Sequence, residues 1–144
     1  MDIIANIALR NTALAARCGL LTLMVEAIID PFFKAIQENL VTVVIYLLDN
    51  ANTRNYLTNM PYILAPLTGS INFPNFMESL QLSTRALTLM LKTWPGLVWA
   101  SQQGGTRALV TGLSHPDFRV ASLVVDSLFD IFTIPHHVTS NPFQ

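Results

Sequence analysis

Apolar positions in this chain recur at helical spacing three times over, each time behind a proline. Pro31-Phe32-Phe33, Pro74-Asn75-Phe76 and Pro116-Asp117-Phe118 share the form P-x-F at separations of 43 and 42 residues. Counting forward from each proline, the positions at +12, +13 and +16 are Val43, Val44 and Leu47, then Ala86, Leu87 and Met90, then Leu128, Phe129 and Phe132. At +5 and +9 stand Ile36 and Leu40, Ser79 and Ser83, and Ala121 and Val125. At about 100° per residue these offsets fall within one arc of a helix, the face that must be buried. A recurrence of roughly 42 residues is the period of armadillo and HEAT units, whose long helices depend on their neighbours for cover. The pattern predicts an all-α chain, an armadillo/HEAT-like α-solenoid of about three helical repeats.

Local signals divide the chain into units of about 11–50, 52–94 and 95–135, with 136–144 as a polar tail. Ile3 to Leu9 suits the end of a helix whose beginning is missing, or a short first helix. Asn11 caps a short helix from Thr12 to Cys18, Gly19 breaks it, and Leu20 to Ile29 forms a middle helix. Asp30-Pro31, as N-cap and N1 proline, opens a long helix to about Leu48. The last unit repeats that order. Pro95-Gly96 opens a short helix through about Gln102, Gly104-Gly105 breaks it, Thr106 to Leu113 follows, and Ser114-His115-Pro116-Asp117 starts the long helix. A shift of 85 residues lays Gly19 on Gly104, Ile28 on Leu113 and Pro31 on Pro116. The middle unit is irregular: short helices at Asn52–Leu57 and Pro61–Leu67, a loop from Thr68 to Pro74, then a capping-box start at Asn75-Phe76-Met77-Glu78 for a helix to about Thr93.

Composition narrows the classes. At 144 residues there is room for one domain with a core. Half the residues are apolar and 12% are charged, which raises the question of a membrane. The longest uncharged run, Asn55 to Met77, contains Pro61, Pro66 and Pro74, and the helical segments carry Lys34, Glu38, Arg85, Lys92, Asp126 and Asp130. No membrane span is expected, and the surplus apolar surface points to burial against further repeats or a partner chain. The N-terminus lacks a basic region of the signal-peptide type, and Cys18 is the single cysteine, so a reducing, cytoplasmic setting is expected. A net charge of −1 with scattered Lys and Arg offers no stripe to nucleic acid.

Candidate chemistry is sparse. His115 stands at a helix start, and His136 and His137 lie in the tail, without the converging spacing a metal needs. Ser114-His115-Pro116-Asp117 contains nucleophile, base and acid in name, but neighbours entering a helix cannot face one another as a triad, so it reads as a cap. Gly104-Gly105-Thr106 lacks the lysine of a phosphate loop. Asp126 and Asp130 form an i,i+4 pair on a solvated edge. Trp94 and Trp99 are expected to pack between units. No catalytic residue, cofactor or metal is expected, and the chain is not read as an enzyme.

A surface remains. Offsets +3, +7, +11, +14 and +18 lie opposite the buried arc and give Lys34, Glu38, Thr42 and Asp49; Gln81, Arg85, Thr88 and Lys92; Arg119, Ser127 and Asp130. In armadillo stacks the third helices line a concave groove. Lys34, Glu38, Gln81, Arg85, Lys92, Arg119 and Asp130 are therefore the candidate partner-facing residues, with Ile45, Met77 and Leu123 interrupting the polar stripe. Lys34 and Glu38 also suit a pair along one helix.

Ala16-Arg17-Cys18-Gly19-Leu20, Asn52-Thr53-Arg54-Asn55-Tyr56, Ile63-Leu64-Ala65-Pro66-Leu67-Thr68, Trp94-Pro95-Gly96 and Asp130-Ile131-Phe132 occur in that order. Together they resemble the N-terminal armadillo-type region of the Rictor (Pianissimo) family, the scaffold subunit of target-of-rapamycin (TOR) complex 2. Gly69 stands where that pattern has an acid, and Thr133 where it has an arginine. The resemblance implies a non-catalytic scaffold with the TOR kinase and the Sin-type subunit as partners. It also implies a piece of a longer solenoid, whose ends expose apolar faces, so the isolated chain is expected to self-associate. An unrelated armadillo/HEAT adaptor in trafficking is the alternative, with Asn141-Pro142-Phe143 as its docking tripeptide. A small ligand-binding bundle is a third, and it needs an enclosed polar pocket.

Overall fold

A computed structural model describes residues 2–68 and 75–132. Pro74, the 133–135 end of the third unit, His136, His137 and Asn141-Pro142-Phe143 lie outside the described residues. Within them the chain is helical and contains no strand.

The first helices form where local chemistry asks for them. α1 (Asp2–Arg10) is followed by α2 (Thr12–Arg17), where the Asn11 side chain accepts a bond from the Leu14 N–H at 3.2 Å. Gly19 then takes φ +77° and leads into α3 (Leu20–Ile28). The Asp30 carboxylate accepts from Phe32 N–H at 2.9 Å, but the turn it starts, Pro31–Ile36, is a 3-10 helix; Phe33 at φ −103°, ψ 18° separates it from α4 (Gln37–Asp49). The expected single long helix is thus two pieces. A 3-10 turn at an α-helix start is a tighter winding of the same backbone and leaves the α-helical face to begin at Gln37.

Beyond α4 the helices are short. The expected Asn52–Leu57 helix shrinks to a 3-10 turn, Arg54–Tyr56, and Pro61–Leu67 becomes a 3-10 segment, Met60–Leu64, running into α5 (Ala65–Thr68). α6 (Phe76–Leu91) follows, although Asn75 makes no side-chain cap bond, so the expected capping box is not built on it. α7 (Trp94–Gln102) is capped by Thr93, which accepts from Gly96 N–H at 3.2 Å. Gly104, at φ +85°, breaks it from α8 (Gly105–Leu113). Gly19 and Gly104, placed on one another by the 85-residue shift, are the described glycines with positive φ, a backbone state that suits a residue without Cβ. α9 (Phe118–Phe132) begins two residues after Pro116, with Asp117 rather than the proline at its mouth.

Packing follows the sequence spacing. α4 lies against α6, and α6 against α9; α3 meets the Met60–Leu64 turn, and α5 meets α8. Within each stretch, α3 packs on α4, α5 on α6, and α8 on α9. α1 lies across α2, α3 and α4. The core between these rows holds Leu21, Met24, Ile28, Leu40, Leu47, Met60, Ile63, Leu67, Leu80, Leu87 and Met90.

α6 sits in the middle and is buried over most of its circumference. Ser79 and Ser83 are buried as expected, and so is Thr88, which the offset pattern had put on the polar stripe. α9 alongside covers it. The hydroxyls are satisfied inside: Ser83 donates to the Ile63 carbonyl, and Thr88 donates to the Thr84 carbonyl at 2.8 Å. On α9 the correction runs the other way. Phe129 and Phe132, expected in the buried arc, are 67% and 79% exposed, while Val120 and Val124 face α6 and α8.

The continuous helical stretch Pro31–Asp49 is long and apolar enough, by length and a mean hydropathy of 1.2, to qualify as a membrane span. It is also packed against α3, α6 and α7 and carries the buried Gln37 amide, whose nitrogen bonds the Ile28 and Leu82 carbonyls.

Candidate interaction surface

The polar stripe of the long helices becomes a ladder of contacts between them. From α4, Glu38 reaches Arg85 of α6, Oε2 to Nη2 at 3.9 Å; from the C-cap of α6, Lys92 reaches Asp130 of α9, Nζ to Oδ1 at 3.2 Å. Glu38 therefore faces the next helix rather than Lys34. Lys34, Gln81 and Arg85 border a shallow hollow of about 70 Å³ with Pro31, Glu78 and Leu82. Arg85 and Asp130 border a second, of about 190 Å³, with Thr84, Thr88, Leu123, Asp126 and Ser127. Arg85 is common to both. Six candidates, Lys34, Glu38, Gln81, Arg85, Lys92 and Asp130, thus share the face made by the Pro31–Ile36 turn, α4, α6 and α9. These ion pairs are solvent-exposed, and pairs of that kind contribute roughly 0–1 kcal/mol, so they leave their charges available to a partner at little cost in stability.

Arg119 stands apart. Its guanidinium grips Asp117, Nη2 to Oδ2 at 2.8 Å and Nε to Oδ1 at 3.2 Å, and its own N–H donates to the same carboxylate. Those bonds hold the Asp117 carboxyl down to about 2 and raise Arg119 in turn. His115 Nδ1 accepts from the Asp117 N–H at 3.0 Å. The Ser-His-Pro-Asp run is spent on starting a helix, with no nucleophile–base contact in it.

Trp99 is buried, but Trp94, expected between units, is 74% exposed. As the first residue of α7 it borders an open groove with Leu57, Met60 and Trp99 and is not enclosed between units. A groove that sequence reasoning missed runs beside these residues. One part, about 580 Å³, is bordered by Arg54, Leu57, Met60, Trp94, Trp99 and Gln102; it continues through Thr58, Pro61 and Gln103 into an open cleft of about 1290 Å³ against α8. Arg54 is occupied there, its Nε donating to the Leu48 carbonyl at 2.7 Å where α4 ends. The groove joins residues 48–68 to 94–111, segments with no shared motif, which is why the sequence pattern did not show it.

A third hollow, about 260 Å³, holds Glu26, Asp30, Tyr62, Asn75 and Ser79. Partial burial, then the charges of Glu26 and Asp30, raise the Tyr62 hydroxyl above its ordinary value. Among the described residues no three His, Cys, Asp or Glu side chains converge as a metal site.

Helical throughout its described residues, with an ion-paired face shared by its long helices, the chain has the form of a helical, solenoid-like scaffold. Comparison with known proteins gives the family. The family model described as "Rapamycin-insensitive companion of mTOR, N-term" matches residues 1–143, and the chain belongs to that family. Protein pianissimo A of Dictyostelium discoideum is 27% identical over 93% of this chain and 14% of its own length. The rapamycin-insensitive companion of mTOR of Mus musculus and that of Homo sapiens are each 25% identical over 98% of this chain and 9% of theirs. The chain thus spans about a tenth of the length of these relatives. No solved structure matches.

Proposed function

We propose that this chain is a non-catalytic scaffold module that supports assembly of TOR complex 2 and TOR signalling in the cytoplasm. In this reading it is an armadillo/HEAT-like solenoid of three units, about 11–50, 52–94 and 95–135, with 136–144 as a tail outside them. The observation that carries the proposal is the α4–α6–α9 face, where Glu38–Arg85 and Lys92–Asp130 present alternating charge along adjacent helices of a family whose members are described as companions of mTOR. A protein surface of opposite alternation can exchange these exposed pairs for intermolecular ones. The TOR kinase and the Sin-type subunit are the partners proposed; nucleic acid and a membrane span are not part of the reading. Immobilised chain is expected to retain one of those two subunits, and Arg85→Glu/Lys92→Glu to reduce retention about tenfold or more with unchanged helical circular dichroism. Retention of neither subunit by the wild-type chain removes the proposal.

A further inference from the structure

The groove beside Trp94 shares no lining residue with the hollows of the ion-paired face. Its two parts meet at Thr58, Pro61, Gln102 and Gln103 and form one continuous channel. Leu57, Met60 and Trp99, all buried, line the floor of the smaller part, and Trp94 stands exposed at its border. The side-chain amides of Asn55, Gln102 and Gln103 line the walls and are exposed. An amide offers a donor and an acceptor together, which suits a segment whose backbone has no helix or sheet of its own to satisfy it.

Charge selects the kind of segment. No carboxylate lines the larger part, and Arg107 is the one charged residue among its described lining residues. Arg107 makes no ion pair among the described residues. It lies in the first turn of α8, whose N-cap Gly104 lines the same cleft and supplies no side-chain cap, so the positive end of the helix dipole adds to the arginine. In the smaller part Asp49 and Arg54 offset each other in formal charge. The groove is thus basic on a chain of net charge −1. The complement is absent from these 144 residues in extended form. All nine acidic residues lie within helices or at a helix start, and 69–74 and 133–144 contain none. Neither this chain nor a second copy of it offers an extended acidic stretch.

We infer that the groove is a docking channel for an extended, acidic peptide segment of a partner protein. A carboxylate of the segment pairs with Arg107, and an apolar side chain packs on Trp94 and the floor at Trp99. Tryptophan and arginine are the residue types that most often dominate such contacts. Two arginines are too few for a nucleic-acid backbone, which takes a stripe of cations. The channel is separate from the α4–α6–α9 face and does not depend on the TOR complex 2 reading.

Selection of a phage library of random peptides, about twelve residues long, against the whole chain tests this. Enriched peptides are expected to carry Asp or Glu beside an apolar or aromatic residue, and their synthetic copies to bind more weakly as salt rises. Arg107→Glu is expected to weaken them about tenfold or more, Trp94→Ala by a similar factor, and Arg107→Lys much less, each with native circular dichroism. Arg85→Glu/Lys92→Glu, on the other face, leaves peptide binding unchanged, which separates this result from retention of the TOR complex 2 subunits. A library that yields no enriched sequence, enrichment without acidic residues, or binding indifferent to both Arg107→Glu and Trp94→Ala overturns the inference. Equal binding of an oligodeoxythymidine of about twenty nucleotides assigns the groove to nucleic acid and overturns it too. Self-association abolished by Arg107→Glu assigns it to a second copy, with the same consequence.

Discussion

Gln37 joins three segments by one side chain. It is 1% exposed, and its Nε2 donates to the Ile28 carbonyl at 2.9 Å and the Leu82 carbonyl at 2.7 Å, tying the end of α3 to the middle of α6. Its Oε1 is buried without a partner, so the amide is held by donation alone. Gln37→Ala opens a cavity and strips the carbonyl at the end of α3; a loss of about 2–4 kcal/mol is expected in urea unfolding, with Gln37→Met milder because it fills the space. Asp117 makes a prediction in pH. Its carboxyl lies at about 2 when folded, held by Arg119, against an ordinary 3.8. A lowered folded value means that stability is fully present above pH 3.8 and is lost as pH falls toward 2. Carboxyl NMR is expected to show the low midpoint, and amide exchange in the first turn of α9 to quicken over that window. In Arg119→Ala both effects move up toward ordinary values. Neither residue was equally visible beforehand: the Asp117 cap is three residues of local grammar, whereas Gln37 depends on carbonyls 9 and 45 residues away.

Elements were legible where their ends are local. Asn11, Asp30, Gly19 and Gly104 mark real starts and breaks because each acts on a backbone group within three residues of itself. What hid was imposed by neighbours. The 3-10 winding of Pro31–Ile36 and the bare Asn75 mouth of α6 have no composition that announces them. The ladder across α4, α6 and α9 was legible as a face but not as pairs, since Glu38–Arg85 and Lys92–Asp130 join distant segments. Thr88 went inside because α9 arrived beside it. The junction of α6 and α7 yields a prediction. Thr93 binds the Met90 carbonyl through both its N–H, at 3.0 Å, and its hydroxyl, at 2.9 Å, and a Cβ on Gly96 would sit on that same carbonyl. Gly96→Ala is expected to cost about 1–3 kcal/mol by overpacking, despite alanine's better helix propensity. Thermal melts will read it as a lowered midpoint.

At the scale of the molecule, α6 touches α4, α5, α7 and α9, so the rows on either side of it share one core. The expected outcome is one cooperative transition: fluorescence of the buried Trp99 and far-ultraviolet dichroism unfold at the same urea concentration. Leu87→Ala, at a site 1% exposed, lowers both together by about 2–5 kcal/mol. Two separated transitions would show the rows to be independent. The periodic prolines made the side-by-side long helices legible from sequence. They did not reveal which side of α9 lies against α6, because periodicity marks an apolar arc without naming what covers it.

Gly19 and Gly104 hold φ +77° and +85°, and an added Cβ at either would meet nothing within 4 Å. A side chain there would be strained without being crowded. The two matching breaks are therefore kept by backbone conformation, and by no neighbour that touches them.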